Sequence, residues 1–326
     1  MHPRDSAPKK GADAAILIIG SGSACVICLP QAPRNMPFDS SFDSIPESCR
    51  VCGSDRAALK HAFSATTLYR CPACGLWFCH PIVSFESPSC GPSSIVTDDG
   101  YSDMLLRPTF AQTKRYATLA RRRYQSYCKL LGRSTFSMIE IGCGPGELGA
   151  EFTKLGVDYH GVNIDFRIVE TGQQRIGDRI TQEDFLLMET DQQYDMICFH
   201  QVLGHITQPG LFAKRVRECS RPLGGVHGDV PNVTGLSAFL HRIIPLDERR
   251  FGAIILPHHQ LAYEPKTIQH LFSQTFRLKT FDVKINDPTW GQVNELGCAM
   301  RVYSAVSGVL NAGTNLAFIG KRIEFQ

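Results

Sequence analysis

Two pairs of cysteines carry the clearest chemistry in the chain: Cys49-Arg-Val-Cys52-Gly53 and Cys71-Pro-Ala-Cys74-Gly75. Cysteines two residues apart can aim both sulfurs at one point, and the glycine behind each pair lets the backbone curl beneath them. With eighteen residues between the pairs, four thiolates reach the corners of a tetrahedron, the donor set of a Zn²⁺ site. All four positions come from protein, so such a site is closed and structural, not catalytic. Redox pairs or plain thiols are the alternative. Cys79, Cys90 and His80 follow closely, at poorer spacing. The chain holds thirteen cysteines, and the others fall singly, several in apolar runs. That scatter argues against a disulfide framework and for a reducing compartment, with the cytoplasm as the default.

A second constellation is Ile139-Glu140-Ile141-Gly142-Cys143-Gly144-Pro145-Gly146. Glycines at this spacing let a turn pass close to a ligand, and the helix start behind it presents free N–H groups. Gly144, Gly146 and Gly149 also satisfy the G-x-G-x-x-G pattern of dinucleotide sites, with Asp165 placed to hold a ribose. Glu140 separates the two readings. A carboxylate beside the turn repels a pyrophosphate, whereas it favours a ligand whose near end carries a positive amine.

The elements that must position these residues read as follows. Phe110 to Leu131 shows helical periodicity and stops at Gly132. Strands at 136–141, 159–164, near 179–181, 194–199 and 225–230 alternate with helices at 147–155 and 211–219. Such alternation implies an α/β fold with a mostly parallel, doubly wound sheet. A helix at 265–273, a strand at 277–283, a helix at 295–310 and a terminal strand at 316–321 complete the pattern, the last strands expected to close the sheet edge.

The glycine-rich stretch resembles motif I of class I S-adenosylmethionine-dependent methyltransferases, in a subgroup with an N-terminal four-cysteine zinc-binding module. The resemblance covers about residues 48 to 322 and implies a Rossmann-like fold, S-adenosylmethionine as cofactor and a structural Zn²⁺ on Cys49, Cys52, Cys71 and Cys74. It implies cofactor contacts from Glu140, Gly142, Gly144 and Gly146. Tyr159-His-Gly-Val-Asn163-Ile-Asp165 is similar to the strand whose end holds the ribose, with Asn163 in the usual acidic position and Asp165 two residues on. Gln182-Glu-Asp184-Phe185 is similar to the adenine-reading loop. Tyr194 to Ile206 looks like the fourth strand and the V-L-E-H-I segment, with Gly204 in place of Glu. Val230-Pro-Asn232, His259 and Pro265-Lys-Thr267 fit the subgroup's later motifs, with Ala262 where a second His is common.

Methyl transfer from a sulfonium needs alignment and exclusion of water, and an oxygen or carbon acid acceptor also needs a base. His200, His205 and His259 are the candidates, His259 first because the resemblance puts it in the substrate-side insertion; His200 also falls among the cofactor contacts. Glu264 is a weaker acid/base candidate. A sugar or natural-product-like small molecule is the expected acceptor. Three rivals stand beside this reading. A nicotinamide oxidoreductase would use the same turn. Asn163 and Gly204 would favour a binding protein that has lost turnover. A macromolecular methyltransferase would dock its substrate through the zinc module.

Hydrophobic residues at 43% and charged residues at 20% suit a globular chain with a real core, and the net charge of +3 demands no nucleic acid. The basic run Lys114-Arg115 with Arg121-Arg122-Arg123 reads as a solvated helix face, and aromatics are few among Arg50, Arg56, Lys60 and Arg70. Neither nucleic acid nor membrane is expected as a partner. Residues 1–47 read as an extension and linker, 48–85 as the zinc-binding module, 86–109 as a second linker and 110–326 as the methyltransferase domain. Within the first, Ala14 to Pro30 is nearly uncharged after Arg4, Lys9 and Lys10. That segment is open to reading as a dispensable extension, with translation starting at Met36, as a secretory signal or as an ordered strand.

Overall fold

The computed structural model describes residues 48–83, 110–244, 248–283, 298–310 and 312–323. The expectations for 1–47, Met36, Cys90 and the 86–109 linker lie outside them. The first elements are short strands β1 (Ala58–Ala62), β2 (Thr67–Arg70) and β3 (Trp77–His80), followed by the long helix α1 (Phe110–Leu131). The main layer then alternates: β4 (Ser137–Ile141), α2 (Glu147–Lys154), β5 (Asp158–Asn163), α3 (Phe166–Ile176), β6 (Ile180–Gln182), β7 (Tyr194–His200), α4 (Pro209–Cys219) and β8 (Ser220–Pro231). After α5 (Leu236–Ile243) come three two-residue strands, β9 (Arg250–Phe251), β10 (Ile254–Ile255) and β11 (Leu261–Ala262). The chain finishes with α6 (Pro265–Phe272), β12 (Phe276–Val283), α7 (Cys298–Val309) and β13 (Asn315–Arg322).

Seven strands form one sheet in the order β12-β13-β8-β7-β4-β5-β6. From β8 to β6 every pairing is parallel, while β13 pairs antiparallel with β8 and β12. The expected doubly wound sheet is thus present. The terminal strand sits one place inside, because β12 takes the edge.

The sheet is buried on both faces, as parallel strands require. β4 reads buried at all five positions and β7 at six of seven. Met138, Met196, Cys198 and Tyr159 pack beneath α1, α2 and α3, whereas Ile139, Ile197 and Phe199 pack under α4 and α6. Phe199 meets Phe212, Phe272 and Phe318 at ring separations of 4.9–5.8 Å, geometries that add to simple burial.

The short strands beside the cysteine turns form a second sheet, β1-β2-β3-β11, whose fourth strand comes from residues 261–262. The unit of residues 48–83 therefore closes on a segment almost two hundred residues later. Cys49, Cys71 and Cys74 are packed within the same cluster as the main core. Among the described residues no helix is long and apolar enough to cross a membrane.

Candidate functional site

In a doubly wound sheet ligands bind outside the carboxyl ends of the strands, where the strand order reverses. Here that point lies between β4 and β7. The turn leaving β4 has Gly142, Gly144 and Gly146 at φ of 67°, 57° and 73°, a region that glycine enters without steric penalty. A Cβ at Gly142 would collide with Val202 and one at Gly146 with Ile180. At Gly144 it would meet nothing within 4 Å, so this position faces open space suited to close approach by a ligand. Gly149 has a different use: a Cβ there would strike the ring of Tyr159. Tyr159 in turn donates its hydroxyl proton to Glu140 Oε2 at 2.8 Å. Burial raises the Glu140 carboxyl to about 7, against the opposing pull of that hydrogen bond.

Across the switch point, His200 ends β7 directly opposite Asp229 of β8. The His200 Nδ1 lies 2.7 Å from Asp229 Oδ2, and Gln201 Nε2 donates to Asp229 Oδ1 at 2.5 Å. Burial works to raise the Asp229 carboxyl, yet His200, its hydrogen bond and Arg123 outweigh it and hold it well below the usual range. Burial and the Arg123 charge lower His200. A neutral ring beside an ionised carboxylate places its proton on Nδ1 and leaves the Nε2 lone pair bare. That Nε2 is shut from solvent and has no hydrogen-bond partner among the described residues. Gln201 adopts φ 59°, a strained value for a residue with a side chain, and two hydrogen bonds to Asp229 pin it there. Arg123, read from the sequence as part of a solvated face, is instead turned inward: 11% of its side chain is exposed, 3.8 Å from Asp229. Asp229, Arg123, Gln201 and Tyr159 were not legible as site residues, because only strand pairing and helix packing bring them together.

The ribose and adenine candidates sit at the ends of β5 and β6. Asp165 N–H donates to the Asn163 side-chain oxygen at 3.0 Å, so the Asn163 amide protons remain the donors for a hydroxyl. Asp165 is 2% exposed and caps α3 by accepting from Arg167 N and Ile168 N. Asp184 accepts from Leu186 N at 3.0 Å and closes a tight turn. Phe185 is buried against Phe212, inside the core.

His205 and His259 come together from different segments, with Nε2 to Nε2 at 3.2 Å. Burial and His258 lower His205 to about 4, and burial with His205 holds His259 well below its usual value. Gly204, where a Glu is expected, packs closely on this pair: a Cβ there would sit 3.3 Å from the His259 ring. His200 is not part of this pair.

At the cysteines, Cys49 and Cys74 sulfurs are 3.5 Å apart and Cys52 and Cys71 sulfurs 3.6 Å. All four sulfurs lie within 4.8 Å of one another, without Cys79 or His80. The two knuckles are built alike. Gly53 N donates to Cys49 O and Gly75 N to Cys71 O, both glycines at positive φ. Tetrahedral Zn²⁺ with Zn–S near 2.3 Å needs sulfurs about 3.8 Å apart, so the donor set fits. Glu264, the weaker acid/base candidate, is instead tied up: it accepts from Arg70 Nε and Nη2 at 2.6 and 2.9 Å and from Trp77 Nε1 at 2.9 Å.

A sequence profile described as methyltransferase domain matches residues 111–275, half of the chain. A curated relative, the mitochondrial ubiquinone biosynthesis O-methyltransferase of Dictyostelium discoideum, is 25% identical over 152 residues, 39% of this chain and 47% of its own length. The chain thus spans about half of that relative. Among solved structures, the plantazolicin methyltransferase with S-adenosylhomocysteine and a pentazolic analogue aligns at TM-score 0.48 and 12% identity, over 69% of this chain and 89% of that one. A SAM-dependent methyltransferase from Archaeoglobus fulgidus aligns at 0.44 and 20%, over 64% and 94%.

Proposed function

Because this chain belongs to the methyltransferase-domain family, we propose that it moves a methyl group from S-adenosylmethionine to a small-molecule acceptor, at oxygen or carbon. What carries the reading is the meeting, at one switch point, of a turn whose Gly144 is open to a ligand and a histidine held by Asp229 with its far nitrogen bare. The ubiquinone-biosynthesis relative adds support for an oxygen acceptor.

When bound, S-adenosylmethionine supplies a methyl group already activated on sulfur. The protein's share is alignment and proton management. Gly142, Gly144 and Gly146 shape the turn, Glu140 meets the amine end, Asn163 holds a ribose hydroxyl, and the 182–185 loop, with Asp184, borders the adenine. His200 Nε2 takes the acceptor's proton as the methyl arrives, and Asp229 fixes the ring and stabilises the imidazolium that forms. His259 and His205 line the acceptor side; each occupies the other's Nε2, which makes them poorer bases than His200. The four cysteines hold Zn²⁺ as a structural ion.

Calorimetry tests this directly. S-adenosylhomocysteine is expected to bind saturably to the wild-type chain and not to Gly144→Arg, with NAD⁺ inert. A folded sample that ignores S-adenosylhomocysteine sinks the proposal, and saturable NAD⁺ binding replaces it with the oxidoreductase.

A further inference from the structure

The sequence motif Pro265-Lys266-Thr267 and the arginine inside the first cysteine pair have no place in methyl transfer, yet both are engaged. Arg50 Nη1 donates to the carbonyl of Thr207 at 3.0 Å, two residues beyond His205. The second knuckle is grasped by α6: Thr267 Oγ1 donates to Cys74 O at 2.8 Å and Lys266 Nζ to Pro72 O at 3.2 Å. Glu264, at the N-cap of α6, takes the bidentate bond from Arg70 just before Cys71. Gly75, at φ 80°, lies against the ends of the Lys266 and Glu264 side chains, which a Cβ there would displace. Between His259 and Glu264 the chain is edge strand to the cysteine sheet: Leu261 pairs with Phe78, Ala262 with Trp77, and Cys79 N donates to Gln260 O at 2.9 Å.

Each knuckle therefore holds one of the two histidine-bearing segments. The first knuckle is tied to the segment after His205, and the second to the segment after His259. The two knuckles meet where the four sulfurs converge. The segments are also joined directly near the histidines, by Tyr263 hydroxyl to Leu203 O at 2.9 Å and by the His205 ring against the His258 backbone.

We infer that the four-cysteine unit is the positioning frame of the acceptor side: the metal sets the distance between the knuckles, and through Arg50, Glu264 and Thr267 that distance sets the contact of His205 with His259. The assignment of this side to the acceptor rests on the function proposed above, but the mechanical link does not. None of the bonds just described joins the cofactor turn at 142–146 to the cysteine unit, so cofactor binding is expected to respond less to metal removal than the histidine contact does.

The full chain, loaded with Zn²⁺ and then stripped by a chelator, tests this with two readouts. With selectively labelled histidine, the cross-relaxation between the His205 and His259 rings, whose centroids are 4.7 Å apart, is expected to vanish on stripping and return with Zn²⁺ or Co²⁺. S-adenosylhomocysteine affinity is expected to change less than threefold. Because stripping can unfold a small sheet, Glu264→Gln with Thr267→Val provides a metal-replete counterpart: it retains one Zn²⁺ per chain and weakens the same ring contact. The inference is overturned if the purified chain holds no zinc, if the ring contact survives both stripping and the double variant, or if stripping abolishes the fold as a whole while the double variant leaves the contact intact. Should S-adenosylhomocysteine fail to bind the zinc-loaded chain, the methyltransferase reading falls while the ring contact still decides the link.

Discussion

Glu140 gives the sharpest test of the cofactor site. Its carboxyl is 5% exposed and is raised from 4.5 to about 7 by burial. A positive amine brought near it favours the ionised form, so binding pulls the proton off. If only the carboxylate binds well, the competent fraction is about nine tenths at pH 8 and about one tenth at pH 6, a weakening of roughly tenfold. Calorimetry of S-adenosylhomocysteine in two buffers of different ionisation enthalpy is expected to show about half a proton released at pH 7. Stability runs the other way. A carboxyl whose folded pKa lies above its unfolded one stabilises the fold fully below about pH 4.5, and that contribution is lost as pH rises through 7. The whole span is at most about 3 kcal/mol. Glu140→Gln therefore melts higher than wild type at pH 8, matches it near pH 4.5, and binds ligand with no pH dependence between 6 and 8. An affinity flat in pH for the wild type, or an unaltered profile in Glu140→Gln, would refute the placement of this carboxyl beside the amine.

Two further substitutions probe the same crevice. Gly149→Ala forces a methyl group into the Tyr159 ring, so its urea midpoint should drop by the equivalent of about 1–3 kcal/mol of overpacking; an unchanged midpoint would mean the ring moves aside freely. Asp229→Asn keeps the shape but removes the charge that fixes His200, and nitrogen-resolved NMR should show a single Nδ1-protonated tautomer in the wild type and a mixture in the variant. Methylation should fall about a hundredfold while S-adenosylhomocysteine affinity holds; a fixed tautomer in the variant would assign the orientation to something other than Asp229.

The strand pattern was legible because buried parallel strands are short apolar runs punctuated by glycine, and Ile139, Val162, Ile197 and Val226 follow that rule. Two helices were not. In α3, Asp165 caps a turn followed by Ile168, Val169 and Gly172, a start signal hidden by its proximity to the ribose motif. α5 is only eight residues long, Leu236–Ile243, and so short an apolar run does not separate helix from strand by periodicity. β8 begins at Ser220, earlier than expected, because a register shift lets Pro222-Leu-Gly pass within a strand. The glycine turn and the four cysteines are local motifs, where spacing alone implies geometry. Arg123 and Asp229 lie 106 residues apart, and no local rule joins them.

The departures from the family pattern make sense once those long-range contacts are seen. Gly204 stands where a Glu is expected, and the site has not simply lost an acid: the space is filled by the His259 ring, and that ring is delivered by a segment fastened to the cysteine sheet. A Cβ at 204 would crowd the His259 ring at 3.3 Å, so the glycine leaves room for a ring carried by the segment that the cysteine sheet pairs with. Asn163 follows the same logic. Its oxygen steadies the N–H of Asp165, Asp165 caps α3, and the amide protons are left for a hydroxyl. An Asp at 163 could accept a ribose proton but would crowd a second carboxylate against Asp165, whose own carboxylate is held 2% exposed by the helix start. Both departures are therefore compatible with the proposed methyl transfer, for which the base we propose is His200, at the end of β7 beside Asp229.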